Sequence, residues 1–333
     1  MALLEVTDLH TSFFTPAGEV KAVNGVSFTL DRGQTLGIVG ESGSGKSVTA
    51  YSILHLLEKT GRIVSGSVKL DGQELVGADE KLMQQIRGDR IGMIFQDPMT
   101  SLNPTYTIGR QLTEGILLHT ESDSRQANKR AIEMLTLVGV NDPEKRMKQY
   151  PHQLSGGMRQ RIMIAMALSC QPDILIADEP TTALDVTIQA QILELMEKLQ
   201  KEMGMAIIMI THDLGVVAQM CDQVLVMYAG SVCEQGSVED IFYNPKHAYT
   251  RGLLRSVPTL EGQEELKPIA GSPVDLLHLP QGCAFAPRCD EAMKICLKKR
   301  CDFTPAGDGH YTACWLHTKE QLESGGVKDR EAD

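Results

Sequence analysis

Three short stretches of the chain are apolar without alternation: Thr35–Val39, Asp173–Ala177 and Ala206–Ile210. Runs of this length and character predict strands covered on both faces, as in a parallel sheet flanked by helices. Between the second and third, Ile188, Ile192, Leu195 and Leu199 recur at helical spacing and predict an amphipathic helix. Arg125–Val138 shows the same periodicity, and Gly139 suits its C-terminal cap. Lys46–Leu57 also reads as a helix. Residues 1–39 read as short alternating strands that end in the buried run Thr35–Val39. The segment from about 100 to 165 has helical character throughout and reads as a lobe inserted into the α/β pattern. Near residue 255 the pattern changes: Pro, Gly and Cys become frequent and periodicity weakens. The expected organisation is an α/β domain over 1–255, a Cys-rich segment over 256–318, and a disordered polar tail over 319–333.

Composition narrows the class. The chain has 333 residues, 42% hydrophobic and 23% charged, which is ordinary for a globular protein. Its net charge of -11 argues against broad nucleic-acid binding, which calls for a basic face. The opening MALLEVTDLH lacks the basic start of a signal peptide. No run approaches the roughly 18 apolar residues of a membrane span, so the chain is not expected to cross a membrane by itself.

Candidate chemistry begins at GESGSGKS, Gly40–Ser47, between a predicted strand and a predicted helix. That order is the context a phosphate loop requires. Gly40, Gly43 and Gly45 let backbone N–H groups approach phosphate oxygens, and the helix N-terminus adds favourable dipole. Ser42 and Val48 belong to the same cradle. Lys46 would reach the β- and γ-phosphates of ATP, and Ser47 would ligate Mg²⁺. ILIADEP, Ile174–Pro180, is a buried strand ending in two acids. Beside a phosphate loop, Asp178 would hold Mg²⁺ and Glu179 would polarise the attacking water. Adjacent residues on an extended chain point opposite ways, which would separate the two roles. Ser155, Gly156 and Gly157 precede a predicted helix over Met158–Ser169 and form a second candidate anion site.

A phosphate loop, then LSGGM at Leu154–Met158, then the acidic strand end resembles the ATP-binding-cassette (ABC) family over roughly residues 1–250. The resemblance implies ATPases that close two subunits head to tail, so that Ser155–Gly157 would contact the γ-phosphate held by the partner. It also implies roles for Gln96 of MIFQDP as a sensor of Mg²⁺ and nucleotide, for His212 of IMITHD at the γ-phosphate, and for Asp185 of TTALD at the dimer interface. Phe13, preferred over its neighbour Phe14, would stack on adenine. One departure is Met158, where the family usually has glutamine. The implied fold is a mostly parallel ABC-type ATPase core with an antiparallel N-terminal sheet, a helical lobe and a small Cys-rich C-terminal domain.

Eight cysteines are unevenly spread. Cys170, Cys221 and Cys233 sit singly in core-like stretches and read as reduced buried thiols. Cys283, Cys289, Cys296, Cys301 and Cys314 crowd the C-terminal segment. Their chemistry suggests a metal site, iron–sulfur or zinc; the spacing matches neither a zinc ribbon nor the compact ferredoxin run. GCAFAPRC and HYTAC resemble the C-terminal extension of ATPases that serve oligopeptide, dipeptide and nickel importers. That resemblance implies a [4Fe–4S] cluster on Cys283, Cys289, Cys296 and Cys314, with Cys301 extra. KHAYT, at 246–250, resembles the entry to the same extension, with Ala248 in place of its usual proline. Sixteen methionines, among them Met163, Met166, Met203 and Met209, read as packing. Lys298, Lys299 and Arg300 read as a solvated turn.

The leading reading is the ATP-hydrolysing subunit of a peptide-type importer, peripheral on the cytoplasmic face of the cell membrane. Expected partners are a second, different ATPase, two membrane permeases and, indirectly, an extracytoplasmic solute-binding protein. FQDPMTSLNP, 95–104, resembles the permease-gripping segment, and Leu102 is expected at that contact. The alternatives are a non-transport ABC ATPase, such as an energiser of iron–sulfur assembly, and an importer of nickel or another small solute.

Overall fold

The computed structural model describes residues 2–97, 101–182, 185–256 and 268–318. The polar tail 319–333 and Met99 of the expected permease-gripping segment lie outside them. Strands in chain order are β1 (Leu4–Thr15), β2 (Gly18–Leu30), β3 (Thr35–Val39), β4 (Gly61–Leu70), β5 (Gln73–Glu74) and β6 (Ile91–Ile94). They continue with β7 (Ile174–Asp178), β8 (Ala206–Thr211), β9 (Gln223–Tyr228), β10 (Ser231–Ser237), β11 (Thr304–Gly307) and β12 (His310–Thr312). The chain divides into two interleaved compact units. One comprises Met1–Leu3, Leu30–Thr35 and Gly77–Ile210; the other Leu4–Thr29, Leu36–Val76 and Thr211–Asp333.

The first unit is built on parallel strands. β7 pairs with β6 on one side, Ile174 opposite Ile91, and with β8 on the other, Ile174 opposite Ala206. Every residue of β7 and β8 is buried, as their unbroken apolar runs require. The strand lies one residue later than expected, so it includes Asp178. The helical lobe belongs to this unit. Helix Ser124–Leu137 opens with a capping box: Asp123 Oδ1 accepts the N–H groups of Arg125 and Gln126, each at 2.8 Å, and Gln126 Oε1 accepts the Asp123 N–H at 2.8 Å. It closes at Gly139, whose φ of 74° is the left-handed conformation expected of a C-terminal cap. Ala127, Ala131, Met134 and Leu135 are its buried stripe, packed with helices Ile108–His119 and Gly156–Leu168. In helix Val186–Met203 the buried stripe is Ile192, Leu193, Met196 and Leu199, while Ile188 and Leu195 flank it.

The second unit holds an antiparallel sheet in the order β2-β1-β4-β5. It also holds the parallel pair β3–β9, extended antiparallel through β10, β12 and β11. Here the expected short N-terminal strands are corrected to two long ones, of 12 and 13 residues. The reason is a bulge in β1 at Asp8, φ 46°, where the register with β4 shifts between Thr7 and His10 and again before Thr11. The bulge interrupts the alternation that marks a continuous strand. The expected helix Lys46–Leu57 is also corrected, to Lys46–Ile53. It stops in a Schellman turn: Leu56 N–H reaches Tyr51 O at 2.8 Å and His55 N–H reaches Ser52 O at 3.2 Å. His55 takes the left-handed position usually held by glycine, φ 52°. The Cys-rich segment enters the sheet through β12, whose Thr312 and Tyr311 pair with Glu234 and Gln235 of β10.

Candidate functional site

In the second unit the phosphate loop joins β3 to helix Lys46–Ile53. Gly40 and Gly45 have φ of 153° and 100°. A Cβ on Gly40 would lie 2.2 Å from Met227 O, and one on Gly45 would lie 2.4 Å from Ala22 O. Both positions therefore exclude a side chain. Gly43, φ 77°, has open space beside it and is glycine for its backbone angle alone. Lys46 is buried, and its ammonium donates to the carbonyl oxygens of Gly40, 2.7 Å, and Glu41, 3.0 Å. The lysine thus closes the loop on itself with its charge at the loop's centre. Ser42 is exposed at the tip, and Ser47 and Val48 are half-buried in the first helical turn. Phe13 lies half-buried over Gly61 of β4, where a Cβ would come within 2.7 Å of its ring. Its neighbour Phe14 is exposed with Arg62 stacked 4.0 Å from the ring centre. His212 is exposed just after β8, and Asp213 caps the following helix through the N–H of Gly215, 2.8 Å.

In the first unit β7 delivers the two acids. Asp178 is the last strand residue and is fully buried. Glu179 leaves the extended conformation, with φ 48°. The differing aim of the two carboxyls therefore comes from a left-handed residue, not from the strand pleat the sequence suggested. The Gln96 side-chain amide donates to Glu179 Oε2 at 2.9 Å, and the Thr182 hydroxyl donates to the same oxygen at 2.9 Å. Sequence reading found Gln96 and missed Thr182, which carries no motif signal beyond proximity. Ser155 is the N-cap of helix Gly156–Leu168, yet its exposed hydroxyl makes no capping bond. Gly156 and Gly157 form the first helical turn, two residues earlier than expected. Gly156 has open space around it, and Gly157 lies against Ile188, 3.1 Å from where a Cβ would be. Asp185 caps helix Val186–Met203 by accepting the Ile188 N–H at 3.0 Å. Gln160, also missed, is buried and bonds its amide to Pro180 O, tethering helix Gly156–Leu168, which begins in the LSGGM signature at Leu154–Met158, to the loop after Glu179.

The sequence resembles known proteins over nearly its whole length. The family described as "ABC transporter" matches residues 23–182, and "Oligopeptide/dipeptide transporter, C-terminal region" matches 233–296. The oligopeptide transport ATP-binding protein OppD of Bacillus subtilis is 57% identical, across 94% of this chain and 88% of that protein. The dipeptide transport ATP-binding protein DppD of the same organism is 53% identical, across 98% and 99%. OppD of Salmonella typhimurium is 55% identical, across 96% and 95%. The chain belongs to the oligopeptide/dipeptide ATP-binding proteins of the ABC transporter family. Among solved structures, the ATP-binding cassette MJ0796, dimeric and bound to ADP and Pi, aligns with TM-score 0.64 at 27% identity, covering 71% of this chain and 98% of that one. The protein is accordingly an ABC-type ATPase coupled to transport, and ATP and Mg²⁺ are the nucleotide and metal the family implies. Among the described residues no helix is long and apolar enough to cross a membrane.

The Cys-rich part of this ABC protein lies in the second unit. Cys283, Cys289, Cys296 and Cys314 line one cavity beside Phe285 and Trp315. Gly282 makes the approach possible: Cys283 N–H donates to Cys296 O at 2.7 Å, and a Cβ on Gly282 would lie 2.1 Å from that oxygen. Burial pushes the Cys314 thiol up to about 12, with Cys289, Cys283 and Cys296 adding to the effect. Burial likewise raises Cys283 and Cys289. Cys301 is buried, raised to about 11 by that burial, and does not line the cavity. Among the described residues no three His, Cys, Asp or Glu side chains stand close enough to hold a metal ion as they are placed. The four thiols that line the cavity are soft donors by residue type, and burial of Cys283, Cys289 and Cys314 opposes the ionisation that metal binding requires.

His247 of KHAYT is buried and caps helix Ala248–Arg255, accepting the Tyr249 N–H at its Nδ1, 3.1 Å. Burial first, then Arg251 and His317, hold its pKa down to about 3, so the ring is neutral, as an acceptor must be. Buried Glu234 accepts from Lys246 N–H, 2.6 Å, and His247 N–H, 2.8 Å, and lies 2.8 Å from His310 Nε2. Leu102 requires a correction. It is 1% exposed within its own chain, so it is a core residue of the lobe and not a surface for another protein. Among the described residues of that segment, Phe95, Gln96, Asp97, Asn103 and Pro104 are exposed.

Proposed function

We propose that this chain is the ATP-hydrolysing motor of a peptide importer, acting from the cytoplasmic face of the membrane. The observation that carries this is the joint between Gln96 and Glu179. Gln96 sits at the head of the segment 95–104, and its amide rests on the carboxylate assigned to polarise water. A change at the nucleotide that moves Glu179 would be felt at Gln96, which belongs to the same sequence segment as the exposed turn at Asn103 and Pro104. Gln111 holds that turn: its amide donates to Asn103 O and Tyr106 O at 3.0 Å each, and its Oε1 accepts the Asn103 N–H at 2.9 Å. This gives a short mechanical route from ATP to a permease.

Phosphate would be cradled by Gly40, Ser42, Gly43, Gly45, Lys46, Ser47 and Val48, with Phe13 on the adenine. Ser47, Asp178 and Gln96 offer the hard oxygen donors that Mg²⁺ prefers, and the ion would neutralise charge between the β- and γ-phosphates. Glu179 accepts a proton from the attacking water, while Thr182 and Gln96 fix the carboxylate's direction. His212 is assigned to the γ-phosphate. Ser155, Gly156 and Gly157 offer an uncommitted hydroxyl and two helix N-terminal N–H groups, which suit the γ-phosphate of a partner ATPase. Asp185 is assigned to the same interface. The partners are a second ATPase, two permeases and, through them, a solute-binding protein. The four cysteines 283, 289, 296 and 314 hold a [4Fe–4S] cluster in this reading.

Glu179→Gln tests the motor. In the assembled complex it should retain Mg·ATP binding and lose turnover by roughly 10²-fold or more, the scale of a general-base contribution. Near-normal hydrolysis in that variant would overturn the assignment.

A further inference from the structure

We propose that Arg288, in the Cys-rich extension, is a positioning residue for the phosphate loop, acting through Glu41. This rests on the nucleotide-binding reading of that loop, and it adds to that reading a residue more than 240 positions away in sequence, as the bonds to Glu41 show.

Glu41 is the second residue of GESGSGKS, and three of its groups are held. Its N–H donates to the hydroxyl of Tyr249 at 2.7 Å. Its carbonyl accepts from Lys46 Nζ at 3.0 Å. Its carboxylate takes both arms of Arg288: Nη1 to Oε2 at 2.6 Å and Nη2 to Oε1 at 2.9 Å. A fork of this kind fixes direction as well as distance, which a single point charge cannot do.

The guanidinium is itself built into place. Beyond Glu41, Nε donates to Ala270 O at 2.9 Å, Nη1 to the Tyr228 hydroxyl at 3.3 Å and Nη2 to Ile269 O at 3.4 Å. All five N–H groups are thereby used. The Arg288 side chain is 6% exposed and that of Glu41 25%, so water screens the pair less than it would on an open surface. Tyr228, Tyr249 and Phe285 pack on one another behind it, with ring centres 4.7 to 5.3 Å apart. Arg288 ends the turn Ala286–Arg288, between Cys283 and Cys289, so the brace originates in the cysteine segment.

The consequence for the nucleotide is direct. Lys46 donates to the carbonyl of the residue that Arg288 holds, so loss of the fork frees both the loop backbone and the lysine's anchor. The expected effect is on nucleotide affinity.

The test is equilibrium binding of a fluorescent ATP analogue with Mg²⁺ to the full chain, alongside circular dichroism and thermal melting. Arg288→Gln should weaken binding at least about tenfold in folded protein, the scale of a lost charge-assisted pair. Arg288→Lys should not restore it, because the fork is lost. Glu41→Gln should weaken binding comparably, and the double variant should be no weaker than either single one. If Arg288→Gln does not fold, Glu41→Gln carries the measurement. Affinities within about twofold of wild type in folded variants, or fully additive losses, would overturn the proposal. Wild-type chain that binds no analogue at all would instead overturn the nucleotide-site reading.

Discussion

At Glu179 a single backbone angle does what the sequence motif left to side-chain alternation. The residue turns left-handed, and its carboxylate meets Gln96 and Thr182 while Asp178 stays buried in the strand. The residue types of the site were legible because phosphate, magnesium and water each demand a particular chemistry at a particular loop. Their supporting partners were not: Thr182, Gln160, Tyr249 and Arg288 are common residues whose role depends on what folds beside them. Leu102 shows the opposite failure. Its neighbours in FQDPMTSLNP marked it for a protein contact, yet burial in its own lobe takes it out of reach. Leu102→Asp should therefore unfold or strongly destabilise the lobe, by about 3 kcal/mol or more, through a buried unpaired carboxylate. Leu102→Met should cost under about 1.5 kcal/mol. Denaturant melts of the isolated chain decide this; an Asp variant as stable as wild type would place Leu102 at a surface after all.

Elements were read best where one physical rule governed them. Buried parallel strands announced themselves by unbroken apolar runs, and helix Ser124–Leu137 by its apolar periodicity and closing glycine. They were misread where a rule was broken locally. The bulge at Asp8 divided one strand's pattern, and His55 ended a helix without the glycine that usually signals the end. β11 and β12 escaped notice because strands of four and three residues have too few positions for alternation to show. The same segment carries the cysteine cluster, and its geometry makes a prediction beyond the ligands. Protein prepared without oxygen should hold about four iron per chain if the cubane assignment is right. Serine at Cys283, Cys289, Cys296 or Cys314 should abolish that, while Cys301→Ser should not. Gly282→Ala should also abolish it with every cysteine intact, because the added methyl would collide with Cys296 O and separate two ligands. Iron and sulfide assays with visible absorption measure this. Stoichiometric zinc without iron would replace the cluster by a structural zinc site.

On the scale of the whole molecule the motifs are distributed: phosphate loop and His212 in one compact unit; Gln96, the signature serine and both acids in the other. One chemical departure from the family pattern lies at Met158. In the first turn of helix Gly156–Leu168, methionine cannot supply the side-chain amide that family members usually present beside the signature serine. This chain's own loop, acids and histidine carry no such departure. The asymmetry suits a pair of unlike ATPases, in which this chain supplies a complete Lys46-to-Glu179 machinery and a second subunit supplies a better signature. Purified transporter should therefore contain one copy of this chain and one of a different ATPase. Met158→Gln should improve hydrolysis at the partner's site while leaving ATP affinity at this chain's own loop unchanged. Glu179→Gln in the same complex isolates the partner's contribution, because it silences this chain's site. If residual turnover in that background does not rise when Met158 becomes glutamine, the signature is not limiting; if the complex holds two copies of this chain alone, the unlike pair is wrong.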